Sequence, residues 1–287
     1  MTLSVNTYTM NYSNVVNLSF EDKLRATCLA GYSTLSLMPA DIQSMEQSGR
    51  TLADIRSQAA DHGVRIDRMD PLNTWSRRWV SDNMPDSYTL KTATTAHEFF
   101  RICEGLGCTH ASLNAMFPLN SMSHEEITED FITTCKYGAD HGVNIDLEFV
   151  PLWGLPSLEM AWKVVRDADQ PNGLLCYDIW HHVRSQSDIE TLKGIPGNKI
   201  GCVQLSDGPL VLPVGQTVVD NCYDRKWPGD GEFPNIEIVR MLAENNGLNE
   251  LGAEIFSPIL EGMTAEEVAE KCKKTVESIL LAADVKP

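Results

Sequence analysis

The sequence predicts an α/β protein in which one single (β/α)8 barrel domain occupies residues 1–287. Eight short apolar runs of strand character alternate with stretches of helical periodicity. A helix–Gly–strand junction recurs at Gly63, Gly107 and Gly142, a coarse repeat of about 35–45 residues. Polar side chains stand at or near the ends of four consecutive strand candidates in the second half, where such a barrel builds its site. The repeats share no side-chain motif, so closure into a barrel is favoured over an open solenoid.

The elements follow in order. Leu3 to Tyr8 reads as the first strand, Glu21 to Ala30 as helix and Thr34 to Met38 as the second strand. Thr51 to His62 is helical, with Thr51 or Ser48 as caps, and Gly63 ends it before a third strand from Val64 to Met69. Asp70 to Tyr88 reads as a long loop, rich in Trp, Asn, Arg and Pro. Thr95 to Leu106 is helical and Thr109 to Leu113 the fourth strand. Ser123 and Glu126 form a capping-box pattern before a helix to His141. Asn144 to Val150, Leu174 to Tyr177 and Lys199 to Leu205 are strands five to seven, separated by helices at Ser157 to Ala168 and Ser187 to Lys193. A long Gly- and Pro-containing loop, Gly208 to Glu232, precedes a helix from Pro234 to Asn245, the eighth strand from Glu250 to Ile255 and a closing helix from Thr264 to Ala283.

Composition narrows the function. A net charge of −17 excludes a nucleic-acid partner, because phosphate binding needs a basic surface. It suits a site that holds a cation. The eight cysteines show neither CxxC pairs nor zinc-finger spacing, the pattern expected of reduced thiols in a cytoplasmic protein. The first residues have no leader pattern, and no apolar run approaches the ~20 residues of a membrane span, so no membrane partner is expected.

The chemistry sits at the strand ends. Glu148 in DLEFVP, Asp178 in CYDIWHH, Gln204 in VQLSDG and Glu254 in GAEIFSP arrive from four adjacent strands. Three carboxylates and one amide oxygen make an all-oxygen donor set for a divalent cation such as Mn²⁺ or Mg²⁺. Without a cation the carboxylates would repel one another and resist ionisation. Asp146, two residues before Glu148, is expected one layer deeper as a paired structural carboxylate. His181 falls in the loop after the sixth strand as a substrate contact or proton relay, while His182 points elsewhere. Arg225 and Lys226 are placed to clamp an anionic or hydroxyl-rich group. Trp75, Trp79, Trp153, Trp180 and Trp227 fall near the same face and suggest a partly apolar wall for a ring. Asn6 and Asn114 are further substrate-binding candidates at strand ends. GxSxG, GxGxxG after a strand, HExxH and P-loop patterns are absent.

Taken together, LEFVPLWGLPSL, YDIWHHVRS, CVQLSDGP, RKWPGDGEFP and GAEIFSP resemble the sugar phosphate isomerase/epimerase superfamily with the xylose isomerase-like TIM barrel. The resemblance implies that Glu148, Asp178, Gln204 and Glu254 bind one divalent metal ion, Mn²⁺ first, with Mg²⁺, Co²⁺ or Zn²⁺ as alternatives. It further implies that His181 and Arg225 contact substrate, and it admits a homo-oligomer. Ketohexose 3-epimerases of the family carry His and Arg where this chain has Gln204 and Leu210, which argues against that activity. A Gln at the seventh strand is similar to 3-dehydroshikimate dehydratases.

The expected function is therefore a metal-dependent isomerase or epimerase of a small polyhydroxy carbonyl substrate, a keto sugar or cyclic polyol ketone. The cation polarises the carbonyl, Glu148 or Glu254 removes the neighbouring proton, and the other returns it through an enediolate. The alternative is a dehydratase of the 3-dehydroshikimate or inosose type, with His181 as the acid that releases water. A third reading, an inert barrel serving as a binding subunit, is disfavoured by the intact set of four.

Overall fold

The structure is a computed structural model that describes residues 3–287. Eight parallel strands close into a barrel in chain order. They are β1 (Thr7–Met10), β2 (Thr34–Leu37), β3 (Arg65–Leu72), β4 (His110–Asn114), β5 (Asn144–Glu148), β6 (Gly173–Asp178), β7 (Ile200–Leu205) and β8 (Glu250–Ala253). Closure comes from β1 pairing β8, with Thr7 opposite Glu250 and Tyr8 opposite Leu251. Among the described residues no helix is long and apolar enough to cross a membrane.

Most of the longer helices form because they have an apolar face, and several also have a side-chain cap at the start. Helix Ala96–Leu106 buries Phe99, Phe100, Ile102, Cys103 and Leu106 against the barrel. Burying each phenylalanine contributes about 1.5–3 kcal/mol. Thr95 accepts from the Glu98 N–H at its start, and Gly107 ends it at φ 78°, a left-handed conformation that favours glycine. Of the two caps offered for the helix before Gly63, Thr51 is the one used, in a capping box with Asp54, and the expected box at Ser123–Glu126 is formed. The junctions at Gly63, Gly107 and Gly142 are tight, whereas the chain leaves the C-terminal ends of most strands, β2 and β6 excepted, in longer excursions. This asymmetry builds a cavity at the C-terminal end of the strands.

The barrel interior below that cavity is charged. Arg68 on β3 is 1 % exposed, and its Nε and Nη2 donate to Glu250 at 3.0 and 3.1 Å. Its Nη1 lies 2.5 Å from Asp146 and donates to Ser112 at 3.1 Å. His110 Nδ1 meets Asp146 at 2.8 Å. The expectation of Asp146 as a deep, paired carboxylate is therefore met. Gly201 on β7 makes room for it, since a Cβ there would lie 2.1 Å from Asp146 Oδ1.

Three sequence expectations are corrected. The first strand starts at Thr7, not Leu3, so Asn6 lies at the opposite end of the barrel from the cavity and bonds Asn249. The third strand runs on through Pro71 to Leu72, which places Asp70 inside the barrel wall rather than at the start of a loop. Its register shifts against β4 between Met69 and Leu72, which accommodates a residue without an N–H. Finally, the chain enters a helix, Ile179–Ser185, directly after β6, so His181 belongs to a helix and not to a loop.

Candidate metal and substrate site

A cavity of about 240 Å³ opens at the C-terminal ends of the strands. Glu148 ends β5, Asp178 ends β6, Gln204 lies in β7 and Glu254 follows β8. Strand register sets Glu148 beside Asn114 and Asp178 beside Gln204. All four predicted side chains are buried, between 0 and 5 % exposed.

Donor atoms of Glu148, Asp178 and His181 all lie within 4.8 Å of one another. His181 Nε2 is 3.3 Å from Glu148 Oε1 and 3.4 Å from Asp178 Oδ2. The helix after β6 produces this geometry. Asp178 caps its start, with Oδ1 accepting from the Trp180 N–H at 2.6 Å and the His181 N–H at 3.4 Å. One oxygen is thus held by the helix N-terminus while Oδ2 faces the cluster. The same turn carries His181 back over the barrel mouth.

Glu254 and Gln204 form the other half. Gln204 Nε2 donates to Glu254 Oε1 at 2.8 Å, and the Cys176 thiol donates to Gln204 Oε1 at 3.0 Å, which fixes the amide orientation. Arg225 joins the halves. Its Nη1 lies 2.7 Å from Asp178 Oδ2 and 2.9 Å from Glu254 Oε2. The residue is 2 % exposed and its guanidinium stacks over Trp180 and Phe256. Asp207 holds the loop that delivers it. This buried carboxylate accepts from the N–H groups of Gly208, Gly229 and Phe233 and from Asn235 Nδ2, at 2.8 to 3.1 Å.

The electrostatics follow from burial and neighbours. Burial pushes the Glu254 carboxyl well above its ordinary range; Arg225 opposes this, while Asp178, Glu148 and Asp70 add to it. Asp70 is pushed up to about 7 by burial and by Glu148. Burial also opposes ionisation of Asp178, but Arg225 and His181 outweigh it and hold that carboxyl low. Four buried carboxylates therefore share one guanidinium and one imidazole. That excess of negative charge, with oxygen donors and a histidine converging, fits a divalent cation.

The remaining predicted residues divide. Asn114 lines the cavity and its Nδ2 donates to Glu148 Oε2. Trp153 lines it too, with Tyr88 tilted against its ring. The expected tryptophan wall is otherwise not formed: Trp75 donates to the Asn114 carbonyl, Trp180 to Asn221, and Trp227 is fully buried. Trp79 packs against the small cluster of Met116, Val150 and Trp153. Lys226 is exposed, and its backbone pairs with that of Asp207. His182 packs on Tyr177 away from the cavity. Sequence reasoning missed Asp70, Tyr12, Tyr88 and Phe256, which also line the cavity. For Asp70 the signal was its place at the end of an apolar run, masked by the proline after it.

Comparison with known proteins agrees with this geometry. The chain is 32 % identical over 256 residues to the inosose isomerase of Bacillus velezensis, covering 87 % of this chain and 88 % of that one. It is 22 % identical over 263 residues to the 3-dehydroshikimate dehydratase of Pseudomonas putida, covering 90 % of this chain but 39 % of that longer protein. Among solved structures it superposes on the IOLI protein, crystallised with a bound zinc atom, with a TM-score of 0.79 at 22 % identity, covering 96 % of this chain and 98 % of that one. The xylose isomerase-like TIM barrel family model matches residues 24–275, and the chain belongs to that family.

Proposed function

We propose that the protein is a divalent-metal-dependent isomerase or epimerase of a ring hydroxyketone, a cyclic polyol carrying a carbonyl beside a hydroxyl. The observation that carries this reading is the presence of two buried carboxylates, Glu148 and Glu254, in one cavity on strands three apart in the barrel. The kinship with an inosose isomerase supports the substrate class.

Glu148, Asp178, Gln204 and Glu254 would hold the ion, with His181 beside them. A mixed set of carboxylates, an amide and an imidazole favours Mn²⁺ over Mg²⁺, and Co²⁺ or Zn²⁺ would also fit. The bound ion supplies a Lewis acid that polarises the substrate carbonyl and eases the charge left by proton removal. One glutamate takes the proton from the carbon next to the carbonyl. The other returns a proton to the opposite face or to the neighbouring carbon. Trp153, Tyr88 and Phe256 cover the ring and keep water from the exposed carbanion equivalent. Arg225 holds Asp178 and Glu254 in place by its two ion pairs.

A dehydratase reading is favoured by one feature. His181 stands beside Glu148 and its Nδ1 has no partner among the described residues. A protonated imidazole there could release a β-hydroxyl as water from the same enediolate. Turnover of inosose in deuterated water with Mn²⁺ separates the two. Isomerisation puts deuterium on the carbon next to the carbonyl of a product that keeps every hydroxyl. A product lighter by one water would establish the dehydratase and contradict the isomerase.

A further inference from the structure

We infer that Asp70 reads a ring hydroxyl of the substrate and makes the cavity select a neutral polyol ring over a ring that bears a carboxylate; this rests on the ring-hydroxyketone reading above. Asp70 stands near the C-terminal end of β3, the strand opposite β7 in the eight-membered ring. It is 4 % exposed and lines the cavity. Its Oδ2 accepts from the Ser112 hydroxyl at 3.0 Å. Its Oδ1 has no donor among the described residues, and the side chain lines the cavity.

Neither structural explanation for this carboxylate suffices. Arg68, the guanidinium below it, already spends its Nε, Nη1 and Nη2 on Glu250, Asp146 and Ser112. Nor does Asp70 belong to the cluster of donor atoms formed by Glu148, Asp178 and His181. A buried carboxylate oxygen is an acceptor only, and leaving it without a donor is unfavourable. A substrate hydroxyl supplies the missing donor. A ring seated at the cluster on β5 and β6 would extend across the mouth toward β3, where a second, remote hydroxyl meets Oδ1.

The same arrangement works against an anionic ring. Asp70, Glu148 and Glu254 all line the cavity. Arg225 is committed to Asp178 and Glu254, and the other lining cation, Lys91, is exposed at the rim. A ring carboxylate would face an open Asp70 oxygen that can only accept, with no free guanidinium to receive it. Sites built to bond a substrate hydroxyl discriminate strongly against analogues that lack it.

Calorimetric binding to the Mn²⁺-loaded protein tests this with rings that do not turn over: myo-inositol, its monodeoxy derivatives and shikimate. One monodeoxy derivative should bind the wild type about tenfold or more weakly than myo-inositol, as expected for a lost hydrogen bond to a charged group. Asp70→Asn should weaken myo-inositol by a similar factor, leave that derivative unchanged, and improve shikimate. The inference is overturned if Asp70→Asn binds every ring within twofold of the wild type, or if the wild type prefers shikimate to myo-inositol. Should the variant fail to fold, the wild-type series decides alone: no monodeoxy derivative weaker than the parent overturns the inference. Failure of the isomerase reading would look different, as an absence of deuterium incorporation with the binding pattern intact.

Discussion

In the lower layer of the barrel, Arg68 and His110 face two carboxylates, Asp146 and Glu250. At the mouth, Asp70, Glu148, Asp178 and Glu254 face Arg225 and His181. The carboxylates of both sets are buried in or over the same cylinder of strands, yet the consequences are opposite. Below, burial resists ionisation of Asp146, but Arg68 and His110 hold its carboxyl low. Above, Glu254 is driven up and Asp70 reaches about 7. The lower layer balances its charge with its own side chains and serves the fold. The mouth leaves negative charge uncompensated, and that deficit is what a cation and a substrate proton can relieve.

Substitutions should therefore separate the layers. The largest effect belongs to Glu148→Gln and Glu254→Gln, each lowering turnover at least about a thousandfold, in the range for removal of a positioned acid–base group. Glu148→Gln should keep or raise the unfolding midpoint of the metal-free protein, because it removes one of the repelling charges. A large stability loss in Glu148→Gln would break the comparison. Below, Arg68→Met should destabilise by about 3–5 kcal/mol in urea unfolding, since it strands two buried carboxylates. A loss under 1 kcal/mol would show that the lower layer does not depend on its pairing.

Ligand linkage gives a smaller effect. Mn²⁺ at a hundred times its dissociation constant should stabilise the wild type by about 2.7 kcal/mol. Glu148→Gln and Glu254→Gln should lose most of that gain, while Arg68→Met, where it folds, should keep it. Equal gains in all variants would place the ion elsewhere.

The smallest effect is on pH. Burial opposes charge on His110, but Asp146 outweighs it and raises its pKa above 6.5. The stability from this pair is fully present below pH 6.5 and is lost as pH rises through the raised folded value. Asp146 works in the other direction: its contribution is present above pH 3.8 and is lost as pH falls through its lowered folded value. Stability measured above pH 6.5 should fall less steeply in His110→Gln than in the wild type. An unchanged slope would contradict the pairing.

The mouth was largely legible because barrel grammar is local. A polar side chain ending an apolar run announces itself, and the carboxylates Glu148, Asp178 and Glu254 and the amide Gln204 did so at consecutive strands. His181 was legible by its spacing from Asp178. Its helix was not, because the strand passes into it without turn residues; the overlooked signal was Asp178 itself, an N-cap residue followed by IWHHVRS. Asp70 was hidden because Asp-Pro reads as a turn and because its partner Ser112 is 42 residues away. The lower layer was the least legible. Only Asp146 stood out, since Arg68 and Glu250 are 182 residues apart and nothing in either neighbourhood announces the other. Arg225 was found as a basic residue near the site, but its ion pairs to Asp178 and Glu254 span 47 and 29 residues and needed the fold.

The most direct test of the charge deficit at the mouth is the metal content and Mn²⁺ affinity of the purified protein beside Glu148→Gln and Glu254→Gln. One divalent ion per wild-type chain, weakened or lost in both variants, is the predicted result. A wild type that takes up no ion from added Mn²⁺, or variants that bind as tightly as the wild type, would contradict it.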